Sequence, residues 1–410
     1  MLDTAGVKKG YTNGTHRLIS PQETVEGVRP FMRRMGITRI ANVTGLDCIG
    51  IPVVMVVRPN ARSVAVSQGK GLDLWAAKAS GLMESVEGYH AEYMNPPLKY
   101  ASYAELRQSH PVIEVTRLLR EEQSLFHAHR PLLWVEAFDL LQDEPMWVPY
   151  ELVHTNYTVD ATLCPKNFAA SSNGLASGNH ILEAISHAIC EAVERDSTTL
   201  WTLLSEEQQD TRLLDLATVD DPGCREVLDR FAQADVLIGV WDSTSDVGLA
   251  SFECSIVDRS GTRLHDLYSA GGSGCHPARE VALLRALTEA AQSRAAFISG
   301  SRDDMFRGNY ERAISPEAVQ RQRQRLERAS PCRAFQAVPT WDGDTLESDV
   351  AWELKRLAEA GIQRVLVLDL TRPEYGLPVA RVIVPGLEAR GAVPNAAYGP
   401  RARAWLTGRA

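Results

Sequence analysis

Two kinds of hydrophobic pattern alternate along the chain. Short runs rich in Val, Ile and other apolar residues predict β-strands, and longer Ala-rich stretches with apolar positions three or four residues apart predict helices. The alternation predicts a mixed α/β (α+β) fold in which Ala-rich helices pack on mixed sheets. The predicted strands cover 50–59, 63–68, 132–141, 146–154, 363–370 and 377–385. Three further strands are predicted between 234 and 272, and the last of them covers 264–272. The predicted helices cover 73–93, a segment that follows 172–179 and runs to about 204, 277–297 and 346–360.

The C-terminal third has a different pattern. Residues 299–345 are polar and rich in Arg, and 316–329 predicts a solvated helix. Apolar positions are few after Pro385, so we expect this end of the chain at the surface. We interpret the chain as an N-terminal segment (1–30), one domain with a possible subdomain boundary near 160 (31–395), and a surface tail (396–410).

Composition and charge argue against several classes of protein. Hydrophobic residues make up 44% of the 410 residues, which is close to the average for soluble domains. The longest apolar run, 49–57, is far shorter than the ~20 residues of a membrane-spanning helix, and the N-terminus has no apolar core of a signal peptide. The 43 basic and 52 acidic side chains give a formal charge of −9, which disfavours non-specific binding of nucleic acid. We therefore expect a cytoplasmic protein that binds neither membranes nor nucleic acids.

One arrangement occurs three times along the chain. A Gly-containing turn precedes an Ala-rich helix that carries acidic or amide groups three residues apart. Spacings of three and four residues place such groups on one face of a helix. The turns are SQGKG (67–71), SNGLASGN (172–179) and GGSGCHP (271–277). The polar groups that follow them are Glu84 and Glu87; Glu183, Glu191 and Glu194; and Arg285, Glu289 and Gln292.

The polar groups of all three sets lie on otherwise apolar helices, where a charge is costly unless it is paired or bound to a metal. Clustered carboxylates raise each other's pKa unless cations lie between them. Mg²⁺ suits such a cluster, because it is usually shared between one or two carboxylates and substrate phosphates. Arg195 and Lys70 would supply positive charge for a polyphosphate. The sequence thus predicts a nucleotide-triphosphate site, with the alternative that each Glu sits at the solvated rim of an amphipathic helix.

No standard phosphate-binding loop accompanies these residues. The turn SQGKGLD has Gly71 where a P-loop has Ser or Thr, and GGSGCHP lacks the last Gly of a dinucleotide fingerprint. An ATP site in this chain must therefore be of a non-Walker type, with metal held by helix carboxylates. Ser67 and Lys70 could alternatively be ordinary turn residues.

Taken in order, these motifs resemble the YcaO family of ATP-dependent enzymes, which activate backbone amides of peptides. The segment 36–53 looks like the N-terminal part of the family. ASGLMESVE (79–87) fits the family pattern S-x-x-x-E-x-x-E-R, except that Gly88 replaces the Arg. The run from SNGLASGN to EAISHAICEAVERD is the most specific match, and 272–294 completes the set. The resemblance spans about residues 14 to 390.

The resemblance implies a role for each matched residue. Arg195 and Arg285 would act in catalysis by neutralising charge during phosphoryl transfer. Mg²⁺ would be held by Glu84, Glu87, Glu191 and Glu194. ATP would be bound by Arg17 and Thr24 of the N-terminal segment and by Ser67, Lys70, Ser80, Asn179, Glu183, Arg195, Arg285, Glu289 and Gln292.

The resemblance also implies a reaction in which a nucleophile adds to a peptide amide and ATP phosphorylates the amide oxygen. A sulfide donor would give a thioamide, whereas a Cys, Ser or Thr side chain of a ribosomal precursor peptide would give an azoline. Azoline-forming members often end in P-x-P-x-P, but this chain ends PNAAYGPRARAWLTGRA, and it looks most like stand-alone members that work with a TfuA-like partner. We expect thioamidation of a peptide or protein by a homodimer. Azoline formation and a non-catalytic nucleotide-binding scaffold, which Gly88 would favour, are the alternatives.

Four further residues lie beside the motifs. His187 and His276 are candidate general bases, and Cys190 and Cys275 are candidates for sulfur transfer, with packing roles as the alternative for all four. The chain has seven cysteines without a C-x-x-C pair, so neither a zinc site nor a disulfide framework is predicted. The Arg-rich helix 316–329 could bind an acidic leader peptide or be a solvated face.

Overall fold

The computed structural model of the chain describes residues 6–158, 167–259, 269–390 and 396–408. The mixed α/β fold expected from the hydrophobic pattern is confirmed. The helices are α1 (Pro21–Val28), α2 (Leu74–Glu92), α3 (Tyr103–Leu106), α4 (Ile181–Thr202), α5 (Glu206–Asp210), α6 (Pro222–Gln233), α7 (Arg279–Ser299), α8 (Arg307–Ala313), α9 (Pro316–Arg328), α10 (Leu346–Glu359) and α11 (Pro400–Leu406). The strands are β1 (Arg39–Asn42), β2 (Val53–Val57), β3 (Val66–Lys70), β4 (Leu98–Ser102), β5 (Pro131–Asp139), β6 (Glu144–Pro149), β7 (Leu175–Ser177), β8 (Leu214–Asp215), β9 (Val236–Asp242), β10 (Ala250–Asp258), β11 (Ala270–His276), β12 (Arg333–Ala334), β13 (Leu366–Asp369) and β14 (Val379–Ile383).

The longer strands form antiparallel sheets. One sheet has the order β1-β2-β3, another β11-β10-β9, and the largest β4-β5-β13-β14-β7 with β6 also paired to β5. The short strands β8 and β12 pair in parallel. The two strands predicted at 132–141 and 146–154 correspond to β5 and β6, which pair antiparallel. The last strand predicted between 234 and 272 begins later than expected, at Ala270, and residues 264–268 of that prediction lie outside the described residues.

The three long helices connect the sheets. Helix α2 packs on β2 and β3, and α7 packs on β10 and β11. Helix α4 contacts β7 and β14 of the largest sheet and also β11. Helix α4 thus contacts two of the sheets, and polar groups of α2, α4 and α7 line one common cavity.

Glycines in two strands allow the helices to approach closely. A Cβ at Gly69 of β3 would overlap the carbonyl oxygen of Ala77 in α2, and a Cβ at Gly272 of β11 would overlap the carbonyl oxygen of Ala286 in α7. The prediction that SQGKG and GGSGCHP form turns is therefore wrong, because most of these residues belong to β3 and β11. A Gly-rich stretch suits a turn and a close helix–strand contact equally well, and local sequence does not distinguish the two.

The segment that follows Pro385 is packed into the protein. Ala396 and Ala402 are fully buried. Arg401 of α11 pairs with the buried carboxylate of Asp196 in α4, with Nε and Oδ1 3.0 Å apart. The expectation of a surface position is therefore wrong for 386–389 and 396–402. Small apolar residues and a buried ion pair anchor a stretch that has few large hydrophobic residues. Residues 403–408 are exposed or half-buried.

Two other expectations concern the polar third and the membrane. The solvated helix predicted at 316–329 is confirmed as α9, in which Val319 alone is buried.

Nowhere in the described ranges does a helix combine the length and the apolarity needed to cross a lipid bilayer. The division of the chain into an N-terminal segment, one domain and a tail stays a prediction.

Candidate active site

A cavity of about 640 Å³ lies where α2, α4 and α7 meet the strands β3 and β7. The segment before α1 closes one side of it. Every residue that the sequence assigned to ATP, Mg²⁺ or catalysis lines this cavity. These residues are Arg17 and Thr24 near α1; Ser67 and Lys70 on β3; Ser80, Glu84 and Glu87 on α2; Asn179 before α4; Glu183, Glu191, Glu194 and Arg195 on α4; and Arg285, Glu289 and Gln292 on α7.

Backbone amides of the neighbouring strands hold the carboxylates of α2. The amide of Gln68 in β3 donates a hydrogen bond to Glu84 Oε2 at 3.1 Å. The amide and the hydroxyl of Ser177 in β7 both donate to Glu87 Oε1, at 2.8 and 2.7 Å. Each carboxylate is therefore oriented by a strand while one of its oxygens still faces the cavity.

Strand β11 orients the carboxylates of α4 and α7 in the same way. The amide of Cys275 donates to Glu194 Oε2 at 3.0 Å, and the hydroxyl of Ser273 donates to Glu194 Oε1 at 3.2 Å. The amide of Ser273 lies 3.4 Å from Glu289 Oε1. The arrangement that recurs in the sequence is thus a strand whose amides fix the carboxylates of a helix, rather than a Gly turn that leads into a helix.

Glu183 fastens the N-terminal segment to α4. Its two carboxylate oxygens accept hydrogen bonds from the backbone amides of Leu18 and Asn179, the latter at 2.7 Å. The hydroxyl of Thr24 lies 3.2 Å from Asn179 Oδ1. These bonds bring Arg17, which is next to Leu18, into the cavity wall.

The acidic side chains face one another across the cavity. The carboxyls of Glu87 and Glu191 open onto the cavity rather than onto bulk water, and this enclosure raises the pKa of Glu87 to about 8 and that of Glu191 to about 7. The charges of Glu84 and Glu191 raise the pKa of Glu87 further. A cation bound between these carboxyls would relieve this mutual repulsion.

Basic side chains balance part of this acidic charge. Lys70 Nζ lies 2.8 Å from Glu289 Oε2. Arg195 and Arg285 flank Glu194, with nitrogen–oxygen distances of 3.4 and 4.0 Å. Enclosure opposes ionisation of Glu289, but Lys70 and Arg195 outweigh it and lower the pKa of this carboxyl to about 2.

The donor set fits Mg²⁺ bound together with phosphates better than Mg²⁺ bound by protein alone. Among the residues that the structure describes, no three acidic, His or Cys side chains stand close enough to form a ready-made metal site. Mg²⁺ seldom needs one, because it takes one or two carboxylates and completes its octahedron with water and phosphate oxygens. Glu84, Glu87 and Glu191 offer such oxygens, whereas both oxygens of Glu194 already accept hydrogen bonds.

The two candidate general bases are enclosed and neutral. Burial lowers the pKa of His187 and of His276 well below the usual range, and nearby cations, Arg285 among them, add to the effect. Arg285 Nη1 donates to His187 Nε2 at 3.1 Å, so this imidazole orients a guanidinium of the cavity. Cys190 and Cys275 are also buried. Their proposed catalytic roles stay predictions.

Sequence reasoning missed part of the cavity wall. Gln68, Thr155, Tyr157, Arg302 and Asp304 also line the cavity. Arg302 and Asp304 belong to the stretch 299–345, for which the sequence predicted only a polar, Arg-rich character and a solvated helix at 316–329. Gln68 lies within SQGKG, but no motif marks the other four residues, and only their position in the fold brings them to the site.

The position of Gly88 bears on the departure from the family pattern. A Cβ at Gly88 would lie 3.0 Å from Nη1 of Arg58. Arg58 is buried and lines the cavity, and it donates to the carbonyl oxygen of Ser85 at 3.0 Å. The guanidinium of Arg58, which follows strand β2, therefore occupies the space beside Gly88.

Comparisons with known proteins agree with this arrangement. Residues 68–388 match the family model described as YcaO cyclodehydratase, ATP- and Mg²⁺-binding. The chain is 35% identical over 388 residues to the uncharacterized protein in the tfuA 3′ region of Rhizobium leguminosarum bv. trifolii, covering 92% of this chain and 90% of the relative.

Two solved structures share the fold. The YcaO structure from Methanopyrus kandleri bound with AMPPCP and Mg²⁺ superposes with a TM-score of 0.72 at 22% identity, covering 94% of this chain and 96% of that one. A heterocyclase in complex with substrate and cofactor superposes with a TM-score of 0.77 at 22% identity, over 95% of this chain and 54% of that one. This chain thus spans about half the length of the heterocyclase.

Proposed function

This chain belongs to the YcaO family, and we propose that it activates backbone amides of a peptide or protein with ATP and Mg²⁺. The observation that carries the proposal is the convergence of carboxylates from α2 and α4 with Lys70, Arg195 and Arg285 around one cavity. Phosphoryl transfer depends mainly on positioning and on neutralising charge, and the cavity wall offers groups for both.

The acidic residues are proposed as the magnesium site. Glu84, Glu87 and Glu191 would hold the metal through oxygens that face the cavity, and Glu194 would contribute from a more tightly held position. Bound there, Mg²⁺ would neutralise phosphate charge during phosphoryl transfer. Arg195 and Arg285 would donate to phosphate oxygens, with Glu194 and His187 keeping their guanidinium groups in place.

The proposed reaction has two steps. A nucleophile adds to the amide carbon, and the former amide oxygen attacks the γ-phosphorus of ATP, so that the bond to the bridging oxygen breaks and ADP leaves. The carbon–oxygen bond to the phosphorylated oxygen then breaks and inorganic phosphate leaves. With hydrosulfide as the nucleophile, the S–H proton passes to the departing phosphate or to water as a carbon–sulfur double bond forms, and the product is a thioamide.

Thioamidation with a TfuA-like partner is the outcome that we favour. The support is the relative in the tfuA 3′ region, which resembles this chain over nearly its whole length. Azoline formation is the second candidate, supported by the family description as a cyclodehydratase and by the fold shared with a heterocyclase. Assembly as a homodimer stays a prediction.

The test is incubation of the chain with ATP, Mg²⁺, sodium sulfide, a TfuA-like protein and candidate peptides. Phosphate release with a peptide mass gain equal to the exchange of one oxygen for sulfur would support thioamidation. Loss of one water instead would support azoline formation and contradict the thioamide proposal. Binding of ATP in calorimetry without turnover under any of these conditions would favour a non-catalytic scaffold.

A further inference from the structure

Part of the cavity wall consists of side chains that have no role in the proposed handling of ATP. We call this part the mouth subsite and define it as Gln68, Thr155, Tyr157, Arg302 and Asp304, all of which line the cavity. Tyr157 is 59% exposed, so the subsite reaches the surface of the protein. A second substrate could enter the cavity here.

The mouth subsite adjoins the acidic cluster. The amide of Gln68 donates to Glu84 at 3.1 Å. Gln68 is opposite Met55 across β2 and β3, and the hydroxyl of Ser301 lies 2.7 Å from Met55 Sδ, which brings the chain after α7 alongside Gln68. A molecule held in the subsite would therefore lie next to the carboxylates proposed to bind magnesium.

Two buried side chains of the subsite have unused hydrogen-bonding capacity. Gln68 and Thr155 are each 3% exposed. Gln68 Nε2 and Thr155 Oγ1 have no hydrogen-bond partner among the described residues. Buried polar atoms are nearly always hydrogen-bonded in folded proteins. Both residues also line the cavity, so these unpaired atoms lie at or just behind the wall that a ligand would contact.

The charged pair of the subsite is neutral as a whole. Arg302 Nε donates to Asp304 Oδ1 at 2.7 Å, and a second nitrogen of the guanidinium donates to the other carboxylate oxygen. The negative charges of Asp304 and Glu84 disfavour another phosphate at this place. Unused donors and acceptors without net charge instead match a peptide backbone, in which each unit has one N–H donor and one carbonyl acceptor.

We propose that the mouth subsite binds the backbone of the peptide whose amide is activated, with Gln68 Nε2 donating to a carbonyl oxygen and Asp304 accepting a peptide N–H. This inference rests on the proposed function and adds the location of the second substrate. It accounts for a part of the cavity wall in which the charges of Arg302 and Asp304 balance, beside the carboxylates and cations proposed to bind ATP and Mg²⁺.

The experiment measures peptide and nucleotide binding separately. The probe is acetyl-Gly-Gly-Cys-Gly-Gly-amide, which offers backbone amides and one thiol, observed by saturation-transfer NMR on the full chain with AMPPCP and Mg²⁺. The variants are Gln68→Ala, Asp304→Ala and Tyr157→Ala, the last because loss of an exposed side chain leaves folding intact. Thr24→Ala, at a residue proposed to bind ATP, is the control, and calorimetry gives the AMPPCP affinity of each protein.

We expect each mouth variant to weaken peptide binding at least about fivefold, the effect of losing one hydrogen bond, and to leave the AMPPCP affinity within about twofold. Thr24→Ala should do the opposite. Undiminished peptide signals in all three variants, or no signal from the original chain, would overturn the subsite. A parallel loss of AMPPCP affinity would also overturn it, by assigning these residues to the nucleotide. The phosphate-release assay tests the proposed function independently of these outcomes.

Discussion

Lys70 Nζ lies 2.8 Å from Glu289 Oε2, so an ion pair joins strand β3 to helix α7 across 219 residues of sequence. The pair links the first and the third of the recurring strand–helix units on one wall of the cavity. It also leaves Glu289 ionised, since Lys70 is the main group that lowers the pKa of this carboxyl to about 2 against the effect of enclosure.

Replacement of Lys70 by Met should weaken binding of AMPPCP and Mg²⁺. The change removes a cation from the phosphate-facing wall and leaves the carboxylate of Glu289 without its partner. Loss of a hydrogen bond to a charged group corresponds to about tenfold or more in affinity, measurable by calorimetry. The control is Lys355→Met, whose side chain is 72% exposed outside the cavity. Equal affinities of the two variants would contradict a role for Lys70 in binding phosphate.

Replacement of Glu191 by Ala should abolish ATP turnover without unfolding the protein. We expect a fall of at least about 100-fold in phosphate release, because a group that stabilises the charge of the transition state is lost. The thermal midpoint of the metal-free protein should not fall, since enclosure raises the pKa of Glu191 to about 7 and the ionised carboxylate does not favour folding. Turnover that persists with normal folding would mean that the magnesium assignment is wrong.

Glu151 should make stability depend on pH. Burial raises its pKa to about 7, although the amide of Asn167 donates to it at 2.8 Å. The folded protein therefore holds a proton that the unfolded chain loses near pH 4.5, and stability falls as pH rises from about 4.5 to 7.

In Glu151→Gln this loss is absent. The unfolding free energy of the variant relative to the original protein should therefore increase by up to about 3 kcal/mol between pH 5 and pH 8 in urea titrations. The exposed Glu136, replaced by Gln, is the matched control and should show no such trend. A difference that is constant with pH would show that Glu151 ionises normally in the folded protein.

The sequence allowed much of the site to be predicted because its residues lie on three long helices. Glu84, Glu87 and Glu191 stand out as charges on apolar stretches. The spacing of three residues, from Glu84 to Glu87 and from Glu191 to Glu194, places each pair on one face of a helix. Their convergence was an inference from repetition, and the structure brings them to the same cavity.

The rest of the site depends on contacts between distant segments. Arg302 and Asp304 sit in a stretch that is polar throughout, so nothing local separates them from solvated neighbours. Thr155 acquires its position only through the packing of a loop. The anchoring of Ala402 was missed for a related reason, since one small apolar residue gives no hydrophobic pattern although the fold buries it completely.

The corrected role of the glycines in β11 leads to a test with a built-in control. A Cβ at Gly272 would overlap the backbone of Ala286 and Ala290 in α7, which cannot move without shifting the helix that carries Arg285 and Glu289. Gly272→Ala should lower the unfolding free energy by about 3 kcal/mol or more, or prevent folding. At the adjacent Gly271 a Cβ would meet only the carbonyl oxygen of Cys254, at 3.2 Å, so Gly271→Ala should cost less than about 1 kcal/mol. Equal stabilities of the two variants in urea denaturation would show that the close packing of α7 on β11 is not needed for stability.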